Sequence, residues 1–217
     1  MKRTACLLAV FCVSFLLFAQ IPAGFTNISP GPGLKGWHRS MTVSHGTTEA
    51  WKVEKGVVSV TQDKPGNGGI LLTDKKYKNF EVYLEMNPDF ECDSGLFLRS
   101  TEKGQAYQVM LDYLTGGNMG GIYGEALQNV RGVSSKDWEA NWKKGEWNSI
   151  RARIEGDAPH IQVWMNGKQI TDWTDTANHS IEGATEGMIA LQVHGGTARC
   201  KPGLYHRFRN VGVKELP

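Results

Sequence analysis

From Phe25 onward, short runs rich in Val, Ile, Tyr, Phe and Trp alternate with Gly, Asn, Asp and Pro, and no long stretch repeats its apolar residues at helical spacing. That pattern predicts strands. They are expected at 57–60, 69–73, 80–86, 95–99, 107–112, 147–154, 161–165, 188–194 and 208–213, enough for two packed sheets. Between Ile161 and Ile170, Asn166-Gly167 separates two apolar runs and predicts a two-residue hairpin turn with positive φ at both positions. A second turn is expected at Glu54-Lys55-Gly56. Residues 115–129 and 134–146 read as long loops, the places where a β-sandwich tends to carry function. No internal repeat or interdomain linker interrupts the pattern, so 24–217 is expected to be one all-β domain.

Strand alternation sorts side chains by face. In 80–86, Val82, Leu84 and Met86 share one face, leaving Glu81, Tyr83 and Glu85 on the other. In 107–112, Tyr107, Val109 and Leu111 oppose Gln108, Met110 and Asp112. Gln192 and His194 oppose Leu191 and Val193, and Phe97 and Arg99 oppose Leu96 and Leu98. Four strands therefore present polar groups away from the core. Solvation of one face of an antiparallel sheet explains any single such group. Taken together, Gln, Asp, His, Arg and Glu form a set suited to sugar hydroxyls, because carboxylates accept, Arg donates in a fixed fork and Gln does both. Tyr83, Phe97 and Tyr123 are available as flat apolar surfaces for a sugar face.

Residues 1–23 read as an export signal: Lys2 and Arg3 precede an apolar stretch from Cys6 to Phe18, and small residues follow at Ala19 and Ala23. The apolar stretch is shorter than the ~20 residues of a spanning helix. The mature protein is thus expected to be periplasmic or secreted, with no membrane attachment. The chain carries 24 Lys+Arg and 22 Asp+Glu, and loss of Lys2 and Arg3 with the signal leaves the two signs equal. With no basic block along the mature chain, a nucleic-acid partner is not expected. A small carbohydrate fits better. Only Cys92 and Cys200 remain after cleavage, in a compartment where disulfides persist. They are either bonded to each other, which would restrain the unfolded chain by ~4–5 kcal/mol, or two separate buried thiols.

Several chemistries are absent as motifs: G-x-S-x-G, G-x-x-x-x-G-K, H-E-x-x-H and paired C-x-x-C. The E-x-D-x-x-E run of a two-carboxylate glycosidase is also missing; Glu91-Cys92-Asp93 is followed by Leu96 where the third carboxylate would stand.

An ordered series of segments resembles the 3-keto-disaccharide hydrolase family: Phe25-Thr26-Asn27-Ile28, Leu34-Lys35-Gly36-Trp37, Trp51-Lys52-Val53, Gly68-Gly69-Ile70-Leu71-Leu72-Thr73, Phe80-Glu81-Val82-Tyr83-Leu84-Glu85, Ser94-Gly95-Leu96-Phe97-Leu98-Arg99, Gly145-Glu146-Trp147-Asn148, Leu191-Gln192-Val193-His194-Gly195 and Phe208-Arg209-Asn210-Val211. The resemblance implies a concanavalin A-like jelly-roll sandwich of two antiparallel sheets whose concave face holds the ligand. It also implies cleavage of glycosides oxidised to a ketone at the third carbon, by hydrolysis or by elimination followed by hydration. Such chemistry needs a base, a group to stabilise the enolate oxygen and an acid for the leaving group. His194 is the natural base, Arg99 suits the enolate, and Glu85, Asp112 or Glu125 suits the acid or an alternative base. Gln108, Gln192, Tyr123 and Glu125 are the expected substrate contacts. No cofactor is required by this scheme, although a divalent metal on His194 and nearby carboxylates is another way to polarise the ketone. A lectin-like domain that binds sugar without turning it over shares the same fold.

Overall fold

The computed structural model describes residues 20–41 and 45–217, so the expected export segment lies outside the described residues apart from its last four. In chain order the strands are Thr26–Asn27 (β1), Trp37–Arg39 (β2), Lys52–Glu54 (β3), Val57–Val60 (β4), Gly69–Tyr77 (β5), Phe80–Met86 (β6), Ser94–Ser100 (β7), Ala106–Leu111 (β8), Ile122–Glu125 (β9), Asn148–Glu155 (β10), His160–Met165 (β11), Lys168–Thr174 (β12), Gly187–Val193 (β13) and His206–Glu215 (β14). The larger sheet runs β12-β11-β10-β6-β14-β4-β3, with β1 also paired to β14; the smaller runs β2-β5-β13-β7-β8-β9. Every pairing is antiparallel. The all-β, concanavalin A-like sandwich expected from the sequence is the fold observed.

The local signals act as their chemistry requires. Asn166 and Gly167 take φ of 49° and 84° and close the β11–β12 hairpin, while Lys55 and Gly56 do the same between β3 and β4. The stretch 115–129, expected to be a loop, contains β9. Its Ile122 and Tyr123 pair with Val109 and Gln108, and Gly124 lets the chain pass so close that a Cβ would lie 2.6 Å from Val130. A glycine-rich edge strand carries too little periodicity to be read from sequence.

Val82, Leu84 and Met86 of β6, with Ile150, Ala152 and Ile154 of β10, face Leu96 and Leu98 of β7, Val109 and Leu111 of β8 and Leu191 and Val193 of β13 across one fully buried core. The two sheets differ on their outer faces. In β10 and β11 buried and half-buried residues alternate, as they do when one face meets water, whereas every residue of β7 and β13 is buried. Part of the smaller sheet's outer face is closed by a second apolar cluster of Ile70, Leu72, Phe97, Ala106, Met188 and Ala190. The turn at 101–105 folds onto it, with Gly104 so near that a Cβ would sit 2.3 Å from Ile70 Cδ1. Consecutive strands also change sheets: β5 lies in the smaller, β6 in the larger and β7 in the smaller again.

Leu96 is fully buried at the centre of the inter-sheet core. Replacing it by Ala should lower the unfolding free energy by about 2–5 kcal/mol in a urea titration; a loss below about 1 kcal/mol would mean that the core closes around the gap.

Candidate active site

The outer face of β13, β7 and β8 not covered by the apolar cluster holds a recess of about 250 Å³, lined by His45, Asp93, Ser94, Gln108, Met110, Asp112, Tyr123, Glu125, Gln192, His194 and Arg199. Strand register explains why most of these meet. Leu191 pairs with Leu96 and Ser94 with Leu111. Extending the first ladder by up to three residues and the second by one sets His194, Asp93 and Asp112 in one row across the three strands, and Gln192, Gly95 and Met110 in the next row on that face. Gly95 is required there. A Cβ would lie 2.2 Å from Gln108 Nε2, and its absence lets Gln108 cross the strand and donate to Gln192 Oε1 at 3.3 Å. The Gln192 strand is tied to β7 by Ser94 Oγ, which donates to the Gln192 carbonyl at 2.5 Å.

The rest of the recess comes from irregular segments. Arg199 reaches in from the chain between β13 and β14 and places Nη1 3.0 Å from Asp112 Oδ2 and 3.9 Å from Asp93 Oδ2. Cys92 and Cys200 are bonded, with a sequence separation of 108 and Cα atoms 4.1 Å apart. Each cysteine is the chain neighbour of one member of the Asp93–Arg199 pair, and the Asp93 N–H donates to the Arg199 carbonyl at 3.0 Å. The bridge therefore holds the cation over the carboxyls. Gln62, itself buried, fixes the turn that carries His194: its Nε2 donates to the carbonyls of His194 at 2.8 Å and Gly196 at 2.7 Å, and its Oε1 accepts from Gly66 N–H at 2.9 Å. His45 contributes an edge-on ring contact with His194, centroids 5.1 Å apart, and an ion pair with Glu125 at 3.2 Å.

Burial sets the protonation of two groups. Asp93, 6% exposed, has its carboxyl pushed up to about 7, first by burial and then by the Asp112 charge, against the pull of Arg199. His194 is pushed below its ordinary 6.5, first by burial, with the charges of His45 and Arg199 acting the same way and the Gly195 carbonyl and Glu125 opposing. His194 Nδ1 faces the Gly195 carbonyl. Because a carbonyl can only accept, Nδ1 carries the hydrogen and neutral His194 presents its lone pair at Nε2.

Six of the residues singled out from the sequence share this recess: His194, Asp112, Gln108, Gln192, Tyr123 and Glu125. Two do not. Glu85 lies on the outer face of the larger sheet, where Arg209 Nε meets it at 2.6 Å and the Tyr83 hydroxyl donates to it at 3.1 Å. Its polar face pointed outward as expected, but from the opposite side of the sandwich. Arg99 sits at the far end of β7 with φ of 54° and donates to the carbonyls of Lys78 and Gly156 and to Asn79 Oδ1. Its left-handed backbone and the register shift between Met188 and Ala190 take it out of alternation. Of the three aromatic candidates, Phe97 is buried in the outer apolar cluster and Tyr83 accompanies Glu85, leaving Tyr123, 52% exposed, at the rim. Asp93, Arg199 and His45 escaped the sequence reading because they stand in aperiodic segments. The one available signal was the position of Asp93 and Arg199 beside the two cysteines.

Among the described residues, no group of three or more His, Cys, Asp or Glu side chains is arranged to hold a metal ion. No helix among them is long and apolar enough to cross a membrane. A larger cavity of about 560 Å³, lined by Arg131, Trp173 and His179 among others, opens elsewhere. Its buried Asp175 is already satisfied by the Tyr107 hydroxyl at 2.8 Å, His179 Nδ1 at 2.8 Å and the Thr176 N–H at 2.7 Å.

Residues 24–214 match the model of the 3-keto-alpha-glucoside-1,2-lyase-like domain. The chain belongs to this family. Among solved structures, a candidate glycosyl hydrolase from Parabacteroides distasonis ATCC 8503 is 22% identical with a TM-score of 0.63, over 88% of this chain and 98% of that one. A second such protein from the same organism is 19% identical with a TM-score of 0.61, over 89% and 94%. The carbohydrate binding module CBM66 from Bacillus subtilis is 13% identical with a TM-score of 0.55, over 83% and 96%. At these identities the likeness is one of fold. No curated protein matches the chain. The family makes this a carbohydrate-acting domain.

The Asp93 carboxyl gives a pH signature. Raised from 3.8 to about 7, it keeps a proton in the folded protein that the unfolded chain has released, so its contribution to stability is full below about pH 4 and declines as the pH rises to about 7. The lowered His194 and His206 act in the opposite sense, so the measurement must be a difference. Relative to wild type, Asp93→Asn should gain stability between about pH 4.5 and about pH 8 in urea unfolding; a constant difference would show that Asp93 titrates as it does in water.

Proposed function

We propose that the protein is an exported enzyme that cleaves the glycosidic bond of 3-keto-glycosides by base-initiated β-elimination, with later addition of water. The observation that carries this reading is one recess combining a neutral imidazole, a carboxyl protonated up to about pH 7 and a tethered guanidinium. A ketone at the third carbon acidifies the hydrogen on the second. His194 Nε2 takes that proton, the C–H electron pair forms a carbon–carbon double bond and the carbonyl electrons move onto oxygen. A protonated Asp93 donates to this oxygen, and the Arg199 cation stabilises its charge. When the enolate collapses, the ketone re-forms, the double bond shifts between the first and second carbons, and the aglycone leaves. The departing oxygen takes its proton from the His45–Glu125 pair. Addition of water across the new double bond makes the overall change a hydrolysis. In this scheme positive charge is supplied by Arg199, with no divalent ion. Tyr123 offers a ring for the sugar face at the rim, and the disulfide suits an oxidising compartment outside the cytoplasm.

The competing reading is a sugar-binding domain without turnover, which the shared fold permits. A buried acid shifted toward neutrality favours the enzyme, since binding alone does not need one.

Incubation with a 3-keto-glucoside and with its unoxidised parent, following aglycone release with and without a chelator, should give release from the ketone alone and no effect of the chelator. Binding without release would support the binding module. His194→Ala and Asp93→Ala should each lower kcat about 10²-fold or more, while Glu85→Gln, on the other sheet, should leave it unchanged. The rate should rise with pH as His194 loses its proton, below its ordinary 6.5, and fall above about 7 as Asp93 ionises. A profile still climbing at about pH 9 would remove Asp93 from the chemistry.

A further inference from the structure

The recess contains three polar atoms that folding has buried and left without a hydrogen bond, of which His45 Nε2 lies beside the Glu125 carboxyl at 3.2 Å and the other two have no such neighbour. Gln192 is 0% exposed, and its Nε2 has no hydrogen-bond partner among the described residues; Asp93 Oδ1 is likewise buried and unmatched. Both residues line the recess, and register makes them diagonal neighbours on β13 and at the start of β7. Buried polar groups are nearly always paired, because an unpaired donor loses its bond to water and gains nothing in return. A pair of such atoms in one recess is placed to take a hydrogen-bonding partner from outside the chain.

The orientation of Gln192 follows from its neighbour. Gln108 Nε2 donates to Gln192 Oε1 across Gly95. With Oε1 turned to Gln108, Nε2 is the atom of Gln192 left unmatched in the recess.

We infer that Gln192 Nε2 and the Asp93 carboxyl together bind one substrate oxygen, that it is a carbonyl oxygen, and that Gln192 is the residue by which the site distinguishes a ketone from the corresponding alcohol. This rests on the 3-keto-glycoside reading above. A carbonyl oxygen has two lone pairs and no hydrogen, so two donors satisfy it completely. A hydroxyl in the same place also brings a hydrogen that needs an acceptor of its own, whereas Gln192 Nε2 and a protonated Asp93 both present hydrogens to the oxygen. Asp93 serves as the second donor when protonated, the state that burial favours. As charge builds on the oxygen during enolisation both bonds strengthen, so the same two atoms form an oxyanion hole. Glycine at position 95 gains a functional reason: any side chain there would displace Gln108 and free Gln192 to turn its amide.

The test separates the donor from the reaction. In a His194→Ala background, which holds substrate without turnover, affinities for a 3-keto-glucoside and for its parent glucoside are measured by calorimetry. The ketone should bind more tightly, and adding Gln192→Met should weaken its binding about tenfold while changing the parent glucoside about twofold or less. Equal affinity for the two sugars before Gln192 is changed would sink the 3-keto reading itself. A ketone preference that survives Gln192→Met would leave that reading standing and overturn the role of Gln192. A second arm needs no sugar. Gln108→Leu with Gln192→Met removes the buried amide pair, and the unliganded Tm should stay level or rise, because the unmatched donor has gone. A Tm several degrees lower would show that the donor was already satisfied in the free protein and would overturn the inference.

Discussion

The site depends on the bridge between Cys92 and Cys200 and on the backbone hydrogen bond beside it, which hold an aperiodic segment against the end of a sheet. Without that tether, Asp93 and Asp112 would be two carboxyls side by side at a buried strand end, a placement that like charges and desolvation both oppose. With it, Arg199 stands within reach of both. Burial and the neighbouring charge then prevail at Asp93, whose carboxyl is the one driven toward neutrality. The carbonyl of Cys92 is itself held from two sides, by the Tyr113 hydroxyl and by the buried His206, so the tether is anchored among buried residues.

The outer face of the smaller sheet is divided between two tasks. Phe97, Ile70, Leu72 and their neighbours close one part as a small second core, which allows β7 and β13 to be buried on both sides. The remaining part keeps polar side chains in surroundings that are largely dry yet open to a ligand. That setting explains why His194 is shifted toward its neutral form and why Gln192 stays unmatched. Residues of the same types on the larger sheet, such as Glu85 with Arg209 and Glu81 with Arg151, are paired with one another. They brace a surface, where the one buried atom without a hydrogen bond among the described residues, Arg153 Nε, belongs to a guanidinium already paired with Glu155 and Glu81.

Alternation located the polar residues of β8 and β13 correctly because those strands run regularly through the sheet, with Gln108 and Asp112 on one face and Val109 and Leu111 on the other. The same argument applied to β6 found the right face of the wrong sheet. Glu85 and Gln108 are both turned away from the core, but the chain passes from one sheet to the other between β6 and β7, and alternation within a strand carries no information about which sheet the strand joins. Arg99 failed for a different reason: its positive φ breaks the two-residue period. Arg199 and His45 lie in segments without any period, where only three-dimensional proximity gives a side chain its role.

Local chemistry along the chain determined what short-range forces control: strands from the spacing of apolar residues, the Asn166-Gly167 hairpin from the backbone freedom of those two residues, and the inward face of each regular strand. The ordered segments from Phe25 to Val211 also marked the family. Tertiary structure alone decided which polar faces share a sheet, that Cys92 and Cys200 lie close enough to bond, and which carboxyl among several is buried beside another. Those properties arise from contacts between residues far apart in the chain, 108 positions in the case of the two cysteines, and desolvation, which sets the chemistry of Asp93 and His194, is a property of the surroundings that folding creates.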